Sequence, residues 1–289
     1  MRLSALFVEV LSLATSLASA AAIDKRQAAT KVYTFSSPKS AEGIAARSNG
    51  QLLVSFFEKA EVWSLDPVTQ KAAKIASFTD ATCAAGITEI APDVFAVVAG
   101  QGIWKIDLTS GTAKTTLIKK VPESEMWNGL TTLNNDTILI GDALKGAIFR
   151  MNVNTGDYSI AIQDPTLVKS SSGIPMGIDG LRYFNGTVYF TNISKNTLLK
   201  VPVDQTGKAT GAITTIWSTT QADDLAIGPD GSAYVAAGSK IQKVTADGKI
   251  STVPGSVSSS TSCTLGRTDT DKNTLYVASS NGQISSIKV

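Results

Sequence analysis

The chain has 289 residues, 26 lysines and arginines against 24 aspartates and glutamates, no histidine and two cysteines. The missing imidazole excludes a histidine triad, a histidine general base and every histidine-containing zinc site, and two sulfurs are too few for a thiolate zinc cage or an iron–sulfur cluster. A formal charge of +2 gives no electrostatic case for binding nucleic acid or an anionic membrane.

From the start, Arg2 gives a basic opening, an apolar stretch runs from Leu6 to Leu17 with Glu9 inside it, and Ala18-Ser19-Ala20 has the small-x-small form of a cleavage site. Residues 1–20 are therefore expected to be a signal peptide. Residues 21–26, ending in the dibasic Lys25-Arg26, are expected to be a propeptide. The apolar stretch is too short and too interrupted for a membrane anchor. These features predict a secreted or secretory-lumen protein whose mature part, 27–289, is a single monomeric domain. Secretory entry gives meaning to three glycosylation sequons, at Asn135, Asn185 and Asn192. All fall in or beside expected turns, where a glycan disrupts no packing.

Lys31–Phe35 alternates like a strand, and after it one short pattern recurs six times. Each copy has an apolar anchor after a polar or glycine step, then a second and, in most copies, a third apolar strand between turns. The anchors are Ile44, Ile87, Leu130, Leu181, Leu225 and Leu265, separated by 43, 43, 51, 44 and 40 residues. That is the period of four-stranded propeller blades. The sixth copy supplies only three strands. The expected fold is an all-β, six-bladed β-propeller whose ring is closed by Lys31–Phe35 pairing with the C-terminal blade, which removes two exposed edges at once.

Repetition also locates a surface. The residue two before each anchor begins the innermost strand: Glu42, Ala85, Asn128, Asp179, Asp223 and Cys263. Four of these are carboxylates or amides converging on the channel mouth, with Asp224 beside them. So many acids in a poorly solvated mouth cannot all ionise: either a cation neutralises them, or some keep their protons. Oxygen ligands alone suit Ca²⁺ or Mg²⁺. The other reading is a set of carboxyls offering hydrogen bonds to an organic ligand. Trp127, beside Asn128, and Met176, in the long loop from Ser170 to Gly177, are expected to form an apolar wall for a small apolar organic substrate; the plainer reading is that they cap the core. Cys83 and Cys263 both stand just before an anchor, and in a secreted chain a disulfide between them is expected; two buried thiols are the alternative.

The Glu-Gly-apolar opening at Glu42, the Asn-Gly-Leu and Asp-Gly-Leu steps at Asn128 and Asp179, and Asp223-Asp224-Leu225 followed by Gly228-Pro229-Asp230-Gly231 resemble the gluconolactonase/senescence-marker superfamily of six-bladed propellers. The resemblance implies a divalent cation held by Glu42, Asn128, Asp179 and Asp223, with Asp223 as general base in lactone hydrolysis; Asp179 stands where that family has Asn. The wording Trp-Asn-Gly-Leu (127–130) and Gly-Ile-Asp-Gly-Leu (177–181), with the secretion signal and dibasic site, is more similar to secreted fungal propellers that include hetero-Diels–Alderases of tropolone–sesquiterpenoid pathways. That likeness implies a secondary-metabolite enzyme with no cofactor. Its pocket would bind a reactive polyene and a quinone methide, with Asn128 and Asp179 catalytic and Glu42, Trp127, Met176, Asp223 and Asp224 around the substrate. Three functions therefore stand after the sequence: a cycloaddition enzyme, a metal-dependent lactonase or esterase, and a non-catalytic binding propeller.

Overall fold

A computed structural model of the chain describes residues 28–218 and 221–289; the expected signal peptide and propeptide lie outside the described residues. Among the described residues every regular element is a β-strand, arranged in six four-stranded antiparallel sheets. β1 (Thr30–Thr34) stands apart. Blade one follows as β2 (Ala41–Ala46), β3 (Leu52–Phe56), β4 (Lys59–Asp66) and β5 (Lys71–Ser77). Blade two is β6 (Ala84–Ala91), β7 (Val94–Ala99), β8 (Gly102–Asp107) and β9 (Lys114–Lys120); blade three is β10 (Trp127–Thr132), β11 (Thr137–Asp142), β12 (Ala147–Asn152) and β13 (Tyr158–Gln163). Blade four comprises β14 (Ile178–Phe184), β15 (Thr187–Asn192), β16 (Thr197–Pro202) and β17 (Thr214–Ser218). Blade five comprises β18 (Leu225–Ile227), β19 (Ala233–Ala237), β20 (Lys240–Val244) and β21 (Ile250–Val253). β22 (Ser260–Leu265), β23 (Thr274–Ser279) and β24 (Gln283–Lys288) complete the series. The first strands of the six sheets touch in cyclic order, β22 returning to β2, so the sheets form a propeller.

Closure is as the repeat predicts. β1 pairs antiparallel with β24, Thr30 opposite Ser286 and Thr34 opposite Gln283, and supplies the outermost strand of blade six. Phe35 follows it into the seam with blade one, its ring edge-on to Phe56 at 4.9 Å and Trp63 at 5.7 Å. Between blades the core is aliphatic and aromatic: Leu53 and Val62 of blade one meet Phe95 and Ile106 of blade two, all fully buried. Each such side chain contributes about 1.5–3 kcal/mol. The outer strands β5 and β9 carry exposed Lys71, Lys74, Lys114, Lys119 and Lys120, charges that discourage edge-to-edge pairing with another chain.

Two expectations change here. No disulfide joins Cys83 and Cys263; both are free thiols. Cys263 lies inside β22, opposite Val277, and is buried in the seam of blades five and six, where its thiol donates to the Tyr234 carbonyl at 3.2 Å. Cys83 precedes β6 on a half-buried connection, a different place in the repeat. Asn192 is fully buried, its amide donating to the carbonyls of Thr166 and Val168, so that sequon has no side chain to offer a glycan. Asn135 and Asn185 are exposed in turns.

Candidate axial site

Most inner strands open with a break in register. In blades one to four the break lies between Ala41 and Ile44, Ala84 and Ile87, Trp127 and Leu130, and Ile178 and Leu181. The bulge turns the second residue toward the axis and sets the third against the next blade. A Cβ on Gly43 would lie 2.5 Å from the Ala85 carbonyl oxygen, on Gly86 2.4 Å from that of Asn128, and on Gly129 2.1 Å from that of Asp179. Only glycine permits that approach. It draws the inner strands together, and so brings distant residues of the chain to one mouth.

Leu225 pairs with Val235 and Cys263 with Val277, as Ile44 pairs with Val54. The axial residues of the last two blades are therefore Asp223 and Thr261, and Cys263 itself occupies the anchor position. Glu42, Asn128, Asp179 and Asp223 do come together. Glu42, Asp179 and Asp223 each place a carboxylate oxygen within 4.8 Å of the others. Asn128 donates its amide to Asp179 Oδ1 at 2.7 Å and, more weakly, to Glu42 Oε1 at 3.4 Å. Asn128, Asp179 and Asp223 are buried, and Glu42 is the most open of the set.

Burial dominates the electrostatics. It raises the Glu42 carboxyl to about 7, against the hydrogen bond from Asn128 and with a further push from the charge of Asp224. Asp179 is pushed well above the ordinary carboxylate range by burial, then by the charges of Glu42 and Asp224. Asp223 is raised by burial, then by Asp179 and Glu42. The cluster cannot be fully ionised near neutral pH without a cation.

Two of the expected ligand contacts sit elsewhere or differently. Trp127 faces away from Asn128 into the seam between blades two and three, 3 % exposed, its ring edge-on to Phe149 at 5.8 Å. It is a core residue and no wall of the mouth. Asp224 occupies the position that is glycine in blades one to four. Its carboxylate accepts from Arg182 Nη2 at 2.7 Å, Ser262 Oγ at 2.6 Å and the Leu225 amide at 2.7 Å, so it ties blades four, five and six beneath the cluster. Met176 is half-buried in the connection to β14. Arg182 and Ser262 were missed from the sequence; the signal was a lone arginine two residues past the blade-four bulge.

The family model for the SMP-30/Gluconolactonase/LRE-like region matches residues 40–281. The chain belongs to that family. A Phoma sp protein named "Putative hetero-Diels-Alderase" is 25% identical, over 82% of this chain and 82% of its own. A second of that name, from Sarocladium schorii, is 22% identical over 58% of this chain and 52% of its own. Among solved structures, a calcium-binding regucalcin from Agrobacterium tumefaciens aligns with a TM-score of 0.67 at 17% identity, over 86% of this chain and 89% of that one.

The donor set can be tested against calcium, the ion that the regucalcin is described as binding. Two oxygens on one Ca²⁺ at about 2.3–2.6 Å can stand at most about 5 Å apart, and the three carboxylate oxygens meet that limit. All donors are hard oxygens, with the amide oxygen of Asn128 beside them. The residues fit a divalent cation.

Proposed function

We propose that the chain is an enzyme of hetero-Diels–Alderase type, seating a small apolar molecule with a conjugated carbonyl against the axial carboxyls. The observation that carries this reading is the enclosed cluster of Glu42, Asp179 and Asp223, beside which Arg182 is paired with Asp224 and not with the cluster. Without a cation, such a cluster keeps protons near neutral pH. The names of the two relatives support it. A protonated carboxyl is a hydrogen-bond donor, and a bond from Glu42 to the heterodiene oxygen lowers its acceptor orbital. Asn128 holds Asp179 in place through its amide. In the reaction the heterodiene's terminal oxygen and carbon each bond one alkene carbon, and no proton is gained or lost. Holding both partners in near-attack geometry supplies up to about 7–11 kcal/mol.

The test is the full chain with a thermally generated ortho-quinone methide and a humulene-type alkene. Cycloadduct is expected above the uncatalysed rate and unchanged by chelator, and Glu42→Ala is expected to lower kcat by about a hundredfold. A background rate overturns this reading.

The spacing of the carboxylate oxygens favours a second reading, a lactonase. Glu42, Asn128, Asp179 and Asp223 would hold Ca²⁺ or Mg²⁺, which when bound polarises a lactone carbonyl, while Asp223 accepts the proton of the attacking water. Lactone hydrolysis lost with chelator and restored by Ca²⁺ selects it.

A further inference from the structure

We infer that the end of the propeller away from the axial mouth carries a second small-molecule site, built for a polyhydroxylated monocarboxylate such as a uronic acid. The connection between the third and fourth strands of blade four, residues 203–213, is longer than its counterparts at 67–70, 108–113, 153–157 and 245–249. It folds back over blade three. Gly207 packs against Leu139 and Leu133, where a Cβ would come within 2.7 Å of the Leu139 side chain, and the Asn134 amide donates to the Gln205 carbonyl at 3.0 Å. Between this insert and the outer strands of blade three lies a cleft of about 470 Å³, within the range of small-molecule sites.

Arg150 lines it. Its Nε donates to Ser159 Oγ at 2.8 Å and its Nη1 to the Thr206 carbonyl at 3.3 Å, so neutral partners from both walls fix the plane of the guanidinium. The other three described arginines each face a carboxylate: Arg47 meets Asp93, Arg182 meets Asp224 and Arg267 meets Glu89. Among the described residues Arg150 has none. A positioned, half-buried guanidinium that lines the cleft without a carboxylate partner among the described residues is suited to recognise a carboxylate through paired hydrogen bonds. Asp157, also in the lining, disfavours a dianion such as a phosphate monoester and accepts from hydroxyls. Thr137 and Gln205 offer further hydroxyl and amide partners, and Tyr158 adds an aromatic surface. One acid and several hydroxyls satisfy that set.

The experiment is calorimetric titration of the full chain with glucuronate, glucose and polygalacturonate. Glucuronate is expected to bind at least about tenfold more tightly than glucose, the size of one charge-assisted hydrogen bond or more. Arg150→Met is expected to erase that preference at unchanged melting temperature, and Arg150→Lys, which keeps the charge without the fork, to retain part of it. Binding of glucuronate assigns the site to free uronic acids; binding of the polymer alone, lost in Arg150→Met, assigns it to uronate residues of a polysaccharide. Equal affinity for glucuronate and glucose with no polymer binding, or binding unaltered in Arg150→Met, overturns the inference.

Discussion

At Asp179 a carboxyl group is enclosed beside Glu42 and Asp223, so its charge is felt in stability before any chemistry is considered. Its folded pKa stands above the unfolded value, as does that of Glu42, raised from 4.5 to about 7. Below about pH 4 both folded and unfolded chains are protonated there. As the pH rises the unfolded chain releases these protons first, so stability falls from about pH 4 through 7 and beyond. Cation-free protein is expected to melt several degrees lower at pH 8 than at pH 5. Asp179→Asn should recover part of that loss at pH 8 and change little at pH 5, read by calorimetry in chelator. A variant that melts lower than the parent at pH 8 would contradict the assignment. Counting along the repeat was enough to bring Glu42, Asn128, Asp179 and Asp223 to one place. What it could not resolve was facing. Neighbours in a strand point to opposite sides, so Trp127 beside Asn128 belongs to the seam, and the bulge sends Asp224 against blade four. At Cys263 the error was a slip of two: Leu265 lies on the same strand face, and a period of two cannot distinguish them.

Among the elements, the inner strands depend on contacts that a side chain would occupy. Gly129→Ala would drive a Cβ to 2.1 Å from the Asp179 carbonyl oxygen, which is backbone and cannot swing aside. A loss of about 3 kcal/mol is expected from urea unfolding. Gly141, in the adjacent strand β11, meets nothing nearer than the Ile178 side chain at 3.4 Å, and Gly141→Ala should stay within about 1 kcal/mol. Equal effects at the two sites would mean that close approach of the blades is not what selects glycine. The widest gap in the repeat, from Leu130 to Leu181, corresponds to the connection 164–177 leading to β14, and the turn residues in Ser170 to Gly177 announced it. The insert 203–213 left no such mark. The step from the end of β17 at Ser218 to the anchor Leu225 is only 7 residues, against 10 from Ser77 to Ile87 and from Lys120 to Leu130, which partly offsets the insert and leaves the spacing ordinary.

For the whole molecule, the strand from Thr30 to Thr34 decides whether the ring is complete. Removing residues 28–36 takes away the outer strand of blade six and Phe35, which is 2 % exposed between blades six and one. The truncated chain is expected to aggregate through the bared edge of β24; one that remains monomeric in light scattering and melts unchanged would show that β1 is dispensable. The same pairing fixes an order of events. Blades one to five are each built from strands adjacent in the chain, and can form as local hairpins in any sequence. The sixth needs Thr30 to find Ser286, across almost the entire length of the polypeptide, and so pays the largest loop-closure entropy in the fold. The same long-range approach brings β2 of blade one to β22 of blade six, the seam that sets Glu42 near Asp223. Completion of the circle and creation of the site are thus expected to coincide as one late step in folding.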